Sequence, residues 1–527
     1  MDSNAFMSGD VSQSHAVEFN DISKYLIRKN MKGILDSVLE EINDFKQPSH
    51  LKLKSISVLF NLVKACGVLI TPYLEKILFC LYFHIENEEE ISKKCEETAQ
   101  VIGLCTDQNV VIPLIVKHLS EMDIKNTSQP LYCRLKVLSC VLTKIVNVSN
   151  ETVSAVIRLM NQLDIFNFSE NIFMKQILFY TFKLYRSFVF NLGKNCVVFH
   201  NEFFFPLLLL QSLPDTVQFH ADVHSTIKLL AESCGFNCVE DLYSLELALV
   251  LEKFRDSHKQ WRRNSPDRFA FDTYVRNGGA ALDKHWIDVL MIVSKCSEPE
   301  FDIEIRMDMM VLLDSVVDNP ILQDQIKTYV DFMIPEIFIP ATSWRSARPN
   351  YKVRKAAMVC MIKLFKNNLI GVDSAKNFFN DILHILKSSL EDDWDPELRF
   401  LSINLLKNLL IKCIDVLTSE QLVEVYPNLI KRLDDSQDSN RIQTCDVFCL
   451  FFQIARNKKI SESIYDYIIN TSFIHLDDAN ENVRIAVYKF LTEASKIYTD
   501  VFVKIADKNL PNFTHKSILN EILDNIK

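Results

Sequence analysis

A chain of 527 residues that is 48% hydrophobic, with 36 Phe and only 9 Gly, has ample apolar mass for packed helices. It has little of the glycine that tight β-turns and phosphate-cradling loops require. A formal net charge of −10 weighs against affinity resting on nucleic-acid phosphates, so proteins or basic segments are the expected partners.

Residues 1–17 lack apolar periodicity and a basic stretch leading into an apolar run, so a disordered or remnant segment without a secretion signal is expected. Near the start an apolar helix led by a basic residue recurs at Lys54, Lys94, Arg134 and Lys175, at steps of 40, 40 and 41 residues, and HEAT-like helices are expected from 18 to 252; the pattern weakens between Lys175 and Arg306. Cysteines such as Cys133 and Cys140 fall inside these apolar patterns, the usage of reduced, buried thiols rather than of a disulfide framework. The run "FFFPLLLL" at 203–210 is shorter than a bilayer-spanning helix and contains Pro206, so it reads as a buried helix junction.

His220 and His224 share a helix face, with Cys234 and Cys238 downstream, a set that zinc would accept. Ala221 stands where a metalloprotease helix carries its general-base Glu, and helix-surface histidines are the expected reading. Between 253 and 286, Pro266, Gly278-Gly279 and a dense set of bases around Trp261 point to an irregular basic junction or insertion. Its plain reading is a solvated loop; the functional one is protein docking through Lys259, Trp261, Arg262 and Arg263, Trp and Arg being common interface anchors. Phosphorylation at Ser265-Pro266 would cut its positive charge.

From 287 to 527 the pattern sharpens. "EPEFDIEIR" places Glu300 six residues before Arg306, and "YKVRKAAMVCMIKLF" follows with Arg354, where Arg348 breaks the acidic position. Trp344 and Arg345 precede that helix and form a second candidate docking point. "LEDDWDPELR", "LDDSQDSNR" and "LDDANENVR" then pair Asp393 with Arg399, Asp435 with Arg441, and Asp478 with Arg484, each six residues apart. From Arg306 onward the Arg steps are 48, 45, 42 and 43 residues, and every Arg opens an apolar helix.

A period of about 40 to 47 residues built from paired helices defines an all-α fold, the α-solenoid of HEAT or armadillo type, with roughly ten to eleven helix pairs. The repeated Asp is expected to accept hydrogen bonds from the free N–H groups of the next helix and to pair with the Arg of its own or the adjacent repeat. These residues therefore read as a packing ladder, not a catalytic pair, because a catalytic carboxylate pair would occur once. Cys445 and Cys449 read as small buried residues. The chain contains no Gly-x-x-x-x-Gly-Lys-Ser/Thr, Gly-x-Gly-x-x-Gly or Gly-x-Ser-x-Gly pattern, so no enzymatic activity and no cofactor are expected.

"VYPNLIKRLDDSQDSNR" at 425–441, followed by "FIHLDDANENVR", resembles the C-terminal repeats of the HEAT-repeat dynein axonemal assembly factor family, as do 329–357, "CVEDLYSLEL" and "SHKQWRRNSP". The family looks longer at its N-terminus, so this chain is expected to begin after several of its repeats. The resemblance implies a cytoplasmic, non-enzymatic factor, with cilium association as a second location, that helps pre-assemble dynein arms with chaperones, other assembly factors and dynein intermediate or heavy chains. An importin-type transport adaptor and a phosphatase-complex scaffold are the alternatives built on the same repeats. Neither nucleic acid nor a membrane is an expected partner.

Overall fold

A computed structural model describes residues 21–122, 130–145, 147–167, 172–345 and 348–526; the expected N-terminal segment 1–17 lies outside them. Among the described residues the secondary structure is helical throughout, without a strand. The chain divides into two compact units, Met1–Leu242 and Tyr243–Lys527.

In the first unit, the helices Ser49–Cys66, Glu89–Cys105, Leu131–Lys144, Met174–Leu192 and His220–Ser233 stack one upon the next as a layer. A second layer is formed by Asp21–Asn43, Leu74–His84, Gln108–Ser120 and Asn150–Leu163. No pair buries its apolar face alone, so the core runs from repeat to repeat, as an α-solenoid requires. At Gly103 a Cβ would sit 2.1 Å from the carbonyl oxygen of Val141, so this glycine permits the two neighbouring helices to touch backbone to backbone.

One stretch that sequence reading passed over, Ser49–His84, is apolar enough over 18 residues to cross a bilayer by composition, with mean hydropathy 1.7. It is broken into two helices by a 3-10 segment, Gly67–Tyr73, where Gly67 has φ +56° and Pro72 removes a backbone donor.

The second unit repeats the design. Its first layer is Ile303–Val317, Arg348–Lys366, Pro396–Cys413, Asp438–Ala455, Glu481–Ala494 and Lys516–Ile526. Its other layer runs through Phe379–Leu390, Tyr426–Ile430, Glu462–Phe473 and Thr499–Asn509. Aromatic stacking carries the core across repeats: Phe490 lies 5.4 Å from Phe448 and 6.4 Å from Phe452.

The stretch expected to be an irregular junction, 253–286, is mostly helical, comprising the end of Val239–Ser257, Pro266–Asn277 and the 3-10 segment Gly279–His285. Trp261 is its core rather than its surface. The indole is 2% exposed, packs 5.5 Å from Phe271 and 6.2 Å from Phe254, and donates to Ser257 Oγ at 3.0 Å. The bases around it solvate the outside of an aromatic cluster that the sequence pattern did not disclose.

Candidate functional site

The repeated acidic turns and Arg-led helices come together in the second unit as an inter-repeat ladder. Arg399, buried at the start of its helix, donates from Nε to Asp435 Oδ2 at 2.6 Å and from Nη2 to Asp435 Oδ1 at 2.9 Å. That two-pronged geometry is the strongest form of the Arg–carboxylate pair. Asp435 belongs to the next repeat, so the rung staples one helix pair to its neighbour. The following rung joins the next pair through a single contact, Arg441 Nη1 to Asp478 Oδ2 at 2.8 Å; Arg441 is half-buried and also pairs with Asp438 on its own helix. The preceding rung is looser, with Arg354 Nη1 3.8 Å from Asp392 while its other nitrogens donate to Thr342 O and Ser389 Oγ at 2.9 and 2.7 Å.

Arg354, Arg399 and Arg441 therefore pair with the acid of the following turn, and not with a residue six before them. This geometry corrects three details of the sequence reading. Asp393 is exposed and Asp392 carries the rung, because the first turn is one residue out of phase with the others. Glu300 is exposed as well; Asp302 caps the Arg306 helix by accepting from Glu304 N at 2.8 Å. Asp435 and Asp478 do not cap their helices. They accept from N–H groups inside the turn, Gln437 at 3.0 Å and Asn480 at 2.8 Å. The caps are separate residues, Asp395 before Glu397 and Asn480 before Asn482.

The ladder has two ends. Arg306 is buried but meets no carboxylate; it donates to Asn350 Oδ1 at 3.0 Å and Ser297 O at 3.3 Å. Burial pushes its pKa down, the nearby Arg345 pushes it further, and Glu300 opposes both. At the other end Arg484 donates to the carbonyls of Asp478 and Ala479. Electrostatics follow the same order in the middle. Hydrogen bonding to Asp435 raises the Arg399 pKa against the cost of burial. Burial would raise the Asp435 pKa, but Arg399, the Gln437 N–H and Asn440 together hold it below the usual carboxylate range.

Sequence reasoning missed Asn440, which is 1% exposed and bonds both Asp435 and Pro396 O at 3.1 Å. Its signal was its place immediately before Arg441, mirrored by Val483 before Arg484 in the next repeat. Also missed was Lys136, buried in the first unit and bonded to Glu96 and Ser92 at 2.7 Å. The basic residues expected to continue the ladder there behave differently. Lys54 and Lys175 are exposed, Lys94 pairs with Glu97 on its own helix, and buried Arg134 donates to His118 O.

Of the candidate docking residues, Lys259 and Arg262 are exposed, Arg263 pairs with Glu304 at 2.5 Å, and buried Trp261 is unavailable to a partner. Trp344 is 60% exposed and Arg345 half-buried. His220 and His224 do not converge: the first contacts Thr216 Oγ1 at 3.0 Å, the second Gln211 at 3.3 Å. Among the described residues no group of three or more His, Cys, Asp or Glu is arranged to hold a metal ion. Cysteines in the described residues are unbridged, with Cys445 buried, Cys449 half-buried and Cys238 exposed.

Stacked helix pairs locked by inter-repeat ion pairs define a HEAT/armadillo-type α-solenoid. Within that class the chain is similar to proteins described as dynein axonemal assembly factor 5. Residues 22–213 match the family model described as the HEAT-repeat domain of dynein axonemal assembly factor 5. The human protein of that name is 22% identical over 512 residues, covering 95% of this chain and 58% of its own length; the Xenopus laevis protein is 21% identical, covering 91% and 57%. The chain thus spans a little over half the length of these curated relatives. Among solved structures, the karyopherin Kap121p bound to the SUMO protease Ulp1p aligns with 94% of this chain and 66% of its own at 11% identity, with a TM-score of only 0.34. The family match falls on the first unit rather than on the acidic turns that carried the resemblance.

Proposed function

We propose that this chain is a non-enzymatic scaffold for the cytoplasmic pre-assembly of axonemal dynein arms, binding dynein intermediate or heavy chains together with chaperones and other assembly factors. The observation that carries the reading is its similarity to dynein axonemal assembly factor 5 proteins over 91 to 95% of its length. The mechanism follows from the architecture of repeats. Stacked helix pairs present a series of neighbouring surfaces, and holding two subunits on one scaffold raises their effective concentration without new contacts between them. Ion pairs between repeats keep the spacing of those surfaces constant. Trp344, Lys259 and Arg262 are the exposed members of the docking set in this proposal, with half-buried Arg345 beside Trp344.

Affinity capture of the tagged chain from cells building motile cilia, followed by mass spectrometry, tests the proposal. Recovery of dynein chains with chaperones is the expected outcome. Recovery of a Ran-type GTPase with import cargo, or of phosphatase subunits, would overturn it in favour of a different scaffold role.

A further inference from the structure

The first unit contains an open groove of about 870 Å³ between the helices Asp21–Asn43 and Leu74–His84. Its two walls differ in chemistry. Asp36 and Glu40, one turn apart, and Asp44, just past the end of the helix, line one side, and Phe79 and Phe83, one turn apart, line the other. Both phenylalanines are 43% exposed, and Phe83 makes an edge contact at 5.7 Å with the still more exposed Phe45. One ion pair, Lys76 to Asp36 at 2.8 Å, crosses the groove at one end. Among the described residues no cationic side chain pairs with Glu40 or Asp44, although the Lys46 backbone N–H reaches Asp44 at 2.9 Å.

We infer that this groove binds a basic amphipathic peptide segment of a partner protein, apolar residues against Phe79 and Phe83 and Lys or Arg against Glu40 and Asp44. Charge complementarity selects the occupant. An acidic or neutral helix would leave two carboxylates facing low-dielectric aromatic surface without a counterion, whereas a cationic stripe at i, i+4 spacing meets both. The aromatic wall supplies the area that makes a helix in a groove bind, with aliphatic anchors repeating at i, i+3 or i+4 and i+7. Nothing in this inference depends on dynein, so it stands or falls apart from the assembly-factor proposal.

The test is fluorescence anisotropy of the full chain with a fluorescein-labelled Leu/Lys peptide about four turns long, its leucines at helical spacing. A counterpart with every Lys replaced by Glu serves as the charge control. The Lys peptide is expected to bind, and the Glu peptide at least about tenfold more weakly. The double variant Glu40→Lys, Asp44→Lys is expected to weaken the Lys peptide by about tenfold or more, as is Phe79→Ser with Phe83→Ser. Asp324→Lys, an exposed acid in the second unit, should leave binding unchanged. Equal binding of both peptides, equal loss in the Asp324 variant, or no binding of the Lys peptide up to about 1 mM would each overturn the inference. Circular dichroism verifies folding, and if the Phe variants unfold, the surface charge variants decide.

Discussion

The tightest rung, Arg399 with Asp435, shows how a single pair sets repeat spacing. Taking two charges out of water is costly, and the pair is retained because both carboxylate oxygens and two guanidinium nitrogens find partners with good geometry. Removing one partner leaves the other charge buried and alone. Arg399→Ala is therefore expected to lower stability by about 3 to 5 kcal/mol, read from urea unfolding. Arg441→Ala should cost about 1 kcal/mol, because Arg441 is half-buried and water screens its pair. An equal effect of the two changes would show that burial does not set the strength of the rung. The pH dependence follows from the depressed Asp435 carboxyl. As pH falls, the unfolded chain takes up its proton first, near the ordinary value of about 3.9. The contribution of the pair is thus complete above that value and disappears as pH drops through the lower folded value. Asp435→Asn should flatten that acid limb while lowering stability at neutral pH. In the first unit, burial, aided by Lys52, pushes the His84 pKa down to about 4. That imidazole stays neutral in the fold, so its contribution is intact above pH of about 6.5 and is lost as pH falls toward the folded value. Replacing His84 with Gln should remove that part of the acid sensitivity, measured as thermal midpoint against pH.

At the scale of the helix pair, the informative positions are those where the ladder ends. Arg306 is buried against a neutral acceptor where the later rungs have a carboxylate. Asn350→Asp would supply one at the atom that Arg306 Nη1 already meets. The expected result is a gain of about 1 kcal/mol with a raised thermal midpoint; a loss would mean that the Asn350 amide donor matters more than a charge. Gly103 tests the opposite feature, close approach. A methyl group there meets backbone, which cannot swing aside as a flexible side chain could, so Gly103→Ala should destabilise by about 1 to 3 kcal/mol, despite the higher helix propensity of alanine. An unchanged denaturation midpoint would show that the two helices slide apart at little cost.

For the whole molecule, neighbour-only packing makes stability local. Each repeat touches its predecessor and successor, and the chain divides into two compact units, so a lesion in one should leave the other standing. Hydrogen exchange of the Arg399→Ala variant is expected to quicken in 348–455 and remain unchanged in 49–120. Uniform acceleration would mean that the chain unfolds as one cooperative block.

The period of the Arg residues, the apolar content and the scarcity of glycine by themselves determined the all-α solenoid, because a repeat that must bury its faces against neighbours writes the same pattern each time. Local chemistry was equally legible where it depends on a few adjacent residues, as in the Arg-led helices. Which acid an Arg meets was not, since Arg399 and Asp435 are 36 residues apart and their meeting depends on how one pair stacks on the next. The burial of Trp261, the substitution of Asp392 for Asp393, and the groove between Asp21–Asn43 and Leu74–His84 likewise exist only after stacking. Periodicity states that a face is buried; tertiary packing decides what lies against it.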